Sequence, residues 1–222
     1  MGPRDFGQFF AGGSSDLPLD EVALAISSHL QAPLDDVEWL AALDLLAGEC
    51  PTPTAVGVAR HLSELGFRGD RRSYYDWRNS CLDHVIRRRT GIPITLSVLM
   101  IETGRRVGVP LHGVGMPSHF LVGVPGEDVY FDPFRGPEPL DRQGVAARFA
   151  ELTDGRAQWD DRFLDATPPR QIVIRMLNNL RGIFTSRADR LRLAVVMQLR
   201  SSIPELRDRE AAEIATATAI LN

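Results

Sequence analysis

Lysine is absent from this chain of 222 residues, so its 25 basic side chains are all arginine. Against 29 acidic residues they leave a formal net charge of −4, which gives no global positive field for binding nucleic acid or an anionic membrane. Long apolar runs are also missing, because none approaches the roughly 18 residues that a membrane-spanning helix needs. Neither nucleic acid nor a membrane is therefore expected as a partner.

Cysteine is scarce as well. Cys50 and Cys81 form neither a metal-ligand spacing nor the disulfide framework of a small secreted domain. The first residues lack a basic region followed by an apolar run, so no secretory signal peptide is predicted. We therefore expect a cytoplasmic protein with reduced thiols.

The hydrophobic pattern predicts an α+β protein in which helices come first, a small antiparallel sheet follows and helices return at the end. Residues 1–15 are rich in Gly and Ser and are expected to be disordered or frayed. Amphipathic spacing predicts a helical layer over residues 16–72, with Asp16 as the cap of its first helix. Residues 73–165 are expected to form the core and residues 166–222 a helical tail.

One predicted helix differs from the others. Asn79 is predicted to cap a short helix, and a new helix then begins at Pro93, where the missing N–H costs nothing in a first turn. The apolar residues between Ile94 and Ile101 occupy every face of this helix, and a helix that is apolar on every face is buried on all sides. Its N-terminus is therefore expected deep in the core, while its basic end at Arg105 and Arg106 reaches solvent.

A predicted β-hairpin places two polar side chains together. Its turn is formed by residues 125–128, and with a two- or four-residue loop Val124 pairs with Val129. His119 and Asp132 then lie diagonally on one face, about 7–8 Å apart at Cα, a gap that an imidazole and a carboxylate can bridge. A three-residue loop would put them on opposite faces.

A carboxylate that orients a histidine is half of a nucleophilic triad, although it is also half of many inert structural pairs. The missing nucleophile should lie at a helix N-terminus, where free N–H groups and the dipole stabilise a thiolate and an oxyanion. The buried helix offers that position. Its first residues are Pro93, Ile94 and Thr95, and none of them is cysteine.

Several long motifs now carry a resemblance. Together they are similar to the SirB-type bacterial branch of the transglutaminase-like superfamily, including the tetratricopeptide-like tail of that branch. The core motifs are Asn79-Ser80-Cys81-Leu82-Asp83-His84-Val85-Ile86-Arg87-Arg88-Arg89-Thr90-Gly91-Ile92-Pro93-Ile94-Thr95-Leu96-Ser97-Val98-Leu99, Gly113-Val114-Gly115-Met116-Pro117-Ser118-His119-Phe120-Leu121-Val122 and Phe131-Asp132-Pro133-Phe134, and the tail motifs are Arg175-Met176-Leu177-Asn178-Asn179-Leu180-Arg181 and Glu205-Leu206-Arg207-Asp208-Arg209.

The resemblance implies a papain-like fold. Catalytic members of the superfamily begin the core helix with a Cys and close it with Gly-x-Pro, and a His and an Asp-Pro follow on successive strands. His119 and Asp132 match the His and the Asp, and the usual helix length counted back from Gly108 places Pro93 at the nucleophile position. The resemblance therefore implies the fold of the family without its acyl-transfer chemistry.

Two other nucleophiles remain as alternatives. Cys81 follows the first turn of the helix that Asn79 is predicted to cap, which favours a thiolate, but it is about a helix length out of register and also fits a small buried apolar position. Thr95 or Ser97 could supply a hydroxyl to His119, or could simply bind a local backbone group.

No metal or cofactor is expected. His112, His119 and Asp132 have suitable side chains, but the two histidines are seven positions apart on different segments and form no compact ligand motif. His29, His61 and His84 are expected to be solvated on helix surfaces. The favoured hypothesis is a module without acyl-transfer activity that binds an unidentified protein or peptide partner in a papain-like cleft.

Overall fold

The computed structural model of the protein describes residues 5–11 and 17–207. Three 3₁₀ helices are present in this part, at Phe6–Phe10, Trp77–Ser80 and Asp161–Leu164. Within the described residues, no helix is both long and apolar enough to cross a bilayer. The α-helices are α1 (Leu19–Leu30), α2 (Asp36–Gly48), α3 (Ala55–Glu64), α4 (Leu82–Arg88), α5 (Pro93–Arg106), α6 (Arg142–Leu152), α7 (Pro169–Ser186) and α8 (Arg190–Ser201).

The strands are short and form two sheets. A parallel pair joins β1 (Arg68–Gly69) to β2 (Thr90–Gly91). The larger sheet is antiparallel with the strand order β6-β5-β4-β3-β7, and this mixture of helices with a small antiparallel sheet confirms the predicted α+β class. Its strands are β3 (His112–Val114), β4 (Leu121–Gly123), β5 (Tyr130–Phe131), β6 (Pro139–Leu140) and β7 (Ala166–Thr167).

Helix α5 is the centre of the fold, as its apolar pattern predicts. Pro93 is its first residue, and every residue from there to Gly104 is buried against helices α1, α2 and α3 and against the sheet. The basic end differs in part from the prediction. The side chain of Arg105 is 58% exposed, but that of Arg106 is only 11% exposed because it binds Asp20 of α1 at 2.6 Å.

The predicted hairpin register is confirmed. Val122 pairs with Phe131 and Gly123 with Tyr130, and the N–H of Val124 donates to the carbonyl oxygen of Val129 at 3.1 Å. The loop therefore has the even length that puts residues 119 and 132 on the same face.

The start of α4 corrects the prediction. Asn79 lies in the 3₁₀ helix before it, where its side-chain amide donates to Asp70 at 3.2 Å and to the carbonyl oxygen of Ser73 at 2.8 Å. Its Oδ1, the atom that would accept a helix N–H in a cap, has no hydrogen-bond partner among the described residues. Helix α4 begins instead at Leu82, and Cys81 is its N-cap residue.

The N-terminal segment is also more ordered than expected. Phe6 and Phe10 are 2% and 3% exposed and belong to the main hydrophobic cluster, because their rings give a short helix enough apolar area to bury. The prediction of a frayed start is therefore wrong for residues 5–11. Asp16, the predicted cap of α1, lies outside the described residues, as do residues 208–222 of the predicted helical tail.

All three histidines depart from the expectation of solvated surface positions. His29 is half-buried, with its ring edge-on to Phe6 at a centroid distance of 6.5 Å. His61 is 7% exposed, and its Nε2 lies 2.8 Å from the carbonyl oxygen of Leu46. His84 is half-buried, with its Nε2 2.8 Å from Oε1 of Gln31. The rings of His61 and His84 are therefore held by contacts with a neighbouring helix, and the sequence pattern of a single helix cannot predict such contacts.

Candidate functional site

The histidine and the aspartate meet at the predicted face of the hairpin. His119 and Asp132 are 5% and 3% exposed, and Nε2 of the imidazole lies 2.9 Å from Oδ2 of the carboxylate. No hydrogen bond to the other ring nitrogen, Nδ1, is found among the described residues. The carboxylate therefore fixes the ring and leaves Nδ1 for a ligand or reacting group.

Two arginines lie near the same carboxylate. Nη1 of Arg148 is 3.6 Å from Oδ2 of Asp132, and Nε of Arg135 is 4.0 Å from it. Both stand beyond hydrogen-bond distance, and Oδ1 of Asp132 has no hydrogen-bond partner in the described part of the chain. Phe134 completes the surroundings, with its ring edge-on to His119 at a centroid distance of 6.1 Å.

A tight turn carries the histidine into this position. Ser118, the residue before it, adopts a left-handed backbone conformation with φ = 62°. Arg175 of α7 holds the turn by donating to the carbonyl oxygens of Met116 and, at 2.7 Å, of His119. Burial lowers the pKa of the Arg175 guanidinium below its ordinary value, and the guanidinium also lies over the ring of Phe120.

A cavity of about 290 Å³ opens in front of the histidine. Pro93, at the N-terminus of α5, forms part of its wall, so the residue matched to the nucleophile position does face the cavity of His119. No sulfur or hydroxyl from α5 lines it. The lining residues are Tyr74, Pro93, Ile94, Ser118, His119, Phe120, Arg175 and Asn179.

Cys81 lies elsewhere. Its side chain is fully buried, and burial, together with the charge of Asp83 beside it, raises the pKa of its thiol well above the ordinary value. It is the N-cap residue of α4, a helix that packs against α1. A thiol that stays protonated is a poor nucleophile, and Cys81 is not among the residues that line the cavity of His119.

The remaining alternatives are also apart from the cavity. Thr95 and Ser97 are fully buried within α5, and neither hydroxyl has a hydrogen-bond partner in the part of the chain that the structure describes. His112 is half-buried on β3, paired with Gly123, and burial lowers its pKa. Within residues 5–11 and 17–207, no group of three or more His, Cys, Asp or Glu side chains is placed to hold a metal ion.

Five cavity residues were not singled out from the sequence: Tyr74, Ser118, Phe120, Arg175 and Asn179. Arg175 and Asn179 are four residues apart on α7, and that spacing puts both on one face of a helix. Both residues belong to the tail motif, which was a sign that they could matter. Their place in the cavity could not be predicted, because nothing in a single sequence indicates that the tail returns to the N-terminus of α5.

Comparison with known proteins now gives the family. Residues 17–178 match the family model described as Transglutaminase-like superfamily. The match extends from α1 into α7 and includes Pro93, His119 and Asp132. The chain therefore belongs to the transglutaminase-like superfamily, and the match is wider than the sequence motifs alone indicated.

Individual relatives are proteins named by family number. A UPF0162 protein of Xylella fastidiosa (strain Temecula1 / ATCC 700964) is 42% identical over 164 residues, which are 68% of this chain and 58% of that protein. UPF0162 protein PA3419 of Pseudomonas aeruginosa is 31% identical over 137 residues, which are 62% of this chain and 50% of that protein. The aligned part of the chain thus spans 58% and 50% of the lengths of these two relatives.

A shorter match links the chain to a eukaryotic protein. F-box only protein 21 of Homo sapiens is 48% identical over 59 residues, which are 27% of this chain and 9% of that protein. No solved structure matches the chain.

Proposed function

We propose that this protein has lost acyl-transfer activity and acts as a protein- or peptide-binding, regulatory module of the transglutaminase-like superfamily. The observation that carries the proposal is the cavity of His119, where Pro93 occupies the wall from which the nucleophile of a catalytic member would project. Proline has no ionisable group and no N–H, so this wall supplies neither a nucleophile nor an oxyanion donor at that residue.

A second cleft supports the binding role. It has a volume of about 600 Å³ and shares Tyr74 and Asn179 with the cavity of His119. Tyr75, which is 68% exposed, and Asn178 of α7 also line this cleft. Aromatic rings and carboxamides along one continuous groove suit an extended peptide, whose backbone needs both donors and acceptors.

We further assign the chain to the SirB-type branch, with a tetratricopeptide-like tail formed by α7 and α8. The support is the tail motifs together with a helix pair that packs closely across a short link. A cytoplasmic location, with both thiols reduced, belongs to the same proposal.

The loss of catalysis is tested by direct assay. Incorporation of an amine into a glutamine donor, and hydrolysis of small amides and esters, would be measured for the wild type, Cys81→Ala and Thr95→Ala. We expect no turnover above that of buffer. Turnover that disappears in Cys81→Ala would overturn the proposal and make the protein a cysteine-type amidase, protease or transglutaminase. Turnover lost only in Thr95→Ala would make it a hydroxyl-nucleophile hydrolase with His119 and Asp132.

The binding role is tested by filling the second cleft. Gly182 lines it, and a Cβ added there meets no atom within 4 Å, so Gly182→Leu is suited to place a side chain in the groove. Gly48 of α2 is an equally open helical glycine away from the groove, so Gly48→Leu is the matched control. Peptides selected from a displayed random library on the wild type should bind Gly48→Leu but not Gly182→Leu. Equal binding to both variants would contradict a peptide groove at this place.

A further inference from the structure

A third cleft beside the cavity is lined by positive charge. It has a volume of about 530 Å³, and Arg68, Arg71, Arg72 and Arg135 contribute to its walls. The chain as a whole carries a net charge of −4, so this concentration of arginine is a local feature and does not reflect the overall composition. A cleft of one sign concentrates its field and attracts groups of the opposite sign.

The acidic residue in this cleft is used by the protein itself. Oδ1 of Asp70 accepts the backbone N–H groups of Arg72 and Ser73, and Oδ2 accepts the amide of Asn79 and lies 3.6 Å from Arg88. Asp70 therefore closes its own turn and pairs with a neighbouring helix. It makes no ion pair with Arg68, Arg71 or Arg72, whereas Arg135 is paired with Glu151 at 2.8 Å.

Two of the arginines have no counter-ion of their own. Arg71 and Arg72 are exposed, and neither guanidinium makes a hydrogen bond or an ion pair with any residue that the structure describes. Arg68 donates only to the carbonyl oxygen of Gly66, at 3.1 Å, which leaves its charge unpaired as well. Three guanidinium groups thus remain for an anionic ligand.

Phe134 connects the basic cleft to residues that line the cavity of His119. Phe134 lines the cleft and packs edge-on against both His119, at 6.1 Å between ring centroids, and Tyr74, at 5.9 Å. Arg135, at the other side of Phe134, reaches to 4.0 Å from Asp132. A chain lying in the cavity would therefore cross the ring of Phe134 and enter the basic cleft.

We infer that the ligand of this groove is an acidic peptide, whose carboxylates lie over Arg68, Arg71 and Arg72 while its adjoining residues occupy the cavity of His119. This inference rests on the proposed peptide-binding function and names its ligand class. Nucleic acid fits less well, because binding a phosphate backbone depends on many contacts and a positive field beyond the cleft, and the remainder of this chain is acidic.

The test uses fluorescence anisotropy with three labelled probes: an octapeptide of alternating Gly and Glu, the same peptide with Gln in place of Glu, and an eight-nucleotide oligothymidylate. The Glu peptide should bind about tenfold more tightly than the Gln peptide, and its affinity should fall with added salt. The double variant Arg71→Gln/Arg72→Gln should lose about tenfold in affinity for the Glu peptide, as expected for two exposed charge pairs.

The matched control removes the same charge elsewhere. Arg156 and Arg162, whose side chains are 80% and 83% exposed, pair with Asp154 and Asp160 away from the cleft. The variant Arg156→Gln/Arg162→Gln should bind the Glu peptide as the wild type does. A loss of the same size in this control would overturn the inference, because the effect would then come from net charge alone.

The remaining outcomes separate this inference from the function on which it rests. Equal binding of the Glu and Gln peptides, lost in both cases in Gly182→Leu, would overturn the acidic preference and leave the peptide groove intact. Binding of the Glu peptide that depends on Arg71 and Arg72 but survives Gly182→Leu would support the inference and contradict the peptide groove proposed at the second cleft. Tighter binding of the oligothymidylate than of the Glu peptide would make the cleft a nucleic-acid surface and overturn the inference.

Discussion

At the scale of single residues, the pair of His119 and Asp132 matters both for the stability of the fold and for the chemistry of the cavity. Both side chains are buried, and the carboxylate receives its one close hydrogen bond from the imidazole at 2.9 Å. In a catalytic relative such a pair orients the base. Here, next to Pro93, it can still hold the hairpin together, because a buried carboxylate without a donor is costly.

The first prediction follows from this pair. His119→Ala should lower the free energy of unfolding by about 1–3 kcal/mol, because Asp132 is then left buried without its close donor. Urea unfolding at pH 7 measures the loss. His119→Gln, which keeps a side-chain donor, should recover part of it. If His119→Ala unfolds at the same urea concentration as the wild type, the pair does not support the fold and its role is to bind a ligand.

At the scale of elements, the parallel pair of β1 and β2 supports the wall of the cavity. Gly69 of β1 lies directly beneath Phe134, and a Cβ added there would come within 2.4 Å of the ring and 2.5 Å of the carbonyl oxygen of Phe134. The N–H of Gly69 also donates to that carbonyl oxygen at 3.1 Å. The strand thus fixes the ring that packs against His119.

The second prediction tests this support. Gly69→Ala should destabilise the protein by about 1–3 kcal/mol, since the new methyl group has no room and must displace Phe134. The aromatic and histidine resonances around the cavity should shift in NMR spectra of this variant. Gly136→Ala is the control, because a Cβ at that nearby glycine meets nothing within 4 Å. Equal thermal stability of the two variants would contradict this prediction, because Phe134 would then move aside at no cost in stability.

The elements also differ in how well a single sequence predicts them. The register of the hairpin follows from alternation and an even loop, and the burial of α5 follows from its apolar residues, so both could be predicted from local pattern. The two-residue strands β1, β2, β6 and β7 could not, because such short bridges carry no periodicity and exist only where the chain is brought together by packing.

Side-chain contacts also divide into those that a local sequence pattern predicts and those that it does not. The contact of His119 with Asp132 was predictable because it lies within one hairpin. The predicted cap Asn79 instead donates its side-chain amide to Asp70 and Ser73, in a loop whose course a single sequence does not specify, and its Oδ1 accepts no hydrogen bond from the described residues. Arg175 reaches the turn before His119 from a helix more than fifty residues away along the chain, and no local rule connects the two.

At the scale of the whole molecule, a buried ion network joins the N-terminal helices to α5. Asp20 of α1 is 2% exposed and receives hydrogen bonds from Arg106 at 2.6 Å and Arg105 at 3.2 Å. Burial alone would raise the pKa of Asp20, but the hydrogen bonds and charges of these arginines lower it below the ordinary value. Glu102 in the same network has its pKa raised by burial and by the charge of Asp20.

The third prediction concerns how the contribution of this network to the free energy of unfolding changes with pH. Because the folded-state pKa of Asp20 is below its unfolded value, its contribution is present above about pH 4 and is lost as the pH falls through the lowered pKa. Glu102 acts oppositely: its raised pKa favours the folded state when it is protonated, and that contribution is lost as the pH rises. Asp20→Asn should therefore cost about 3 kcal/mol at pH 7 and progressively less as the pH approaches 3.

Urea unfolding at pH 7, 5 and 3 measures this difference. Asp44→Asn is the matched control, because Asp44 also pairs with Arg106, at 2.7 Å, but is 70% exposed. It should cost no more than about 1 kcal/mol at any pH. A deficit of Asp20→Asn that stays constant from pH 7 to pH 3 would contradict an ionised, stabilising Asp20.

The position of Pro93 at the N-terminus of α5, facing His119, is the central claim, and a single substitution tests it most directly. In Pro93→Cys, the rate of iodoacetamide alkylation of residue 93 would be followed against pH by peptide mass spectrometry. Cys50 and Cys81 serve as internal references, and the buried Cys81 should remain unlabelled in the folded protein. If residue 93 stands where the nucleophile belongs, the helix N-terminus and His119 should bring the midpoint below about pH 7. Adding His119→Ala should return it towards the ordinary thiol value of about 8.5. A midpoint near 8.5 that does not respond to His119→Ala would contradict the account.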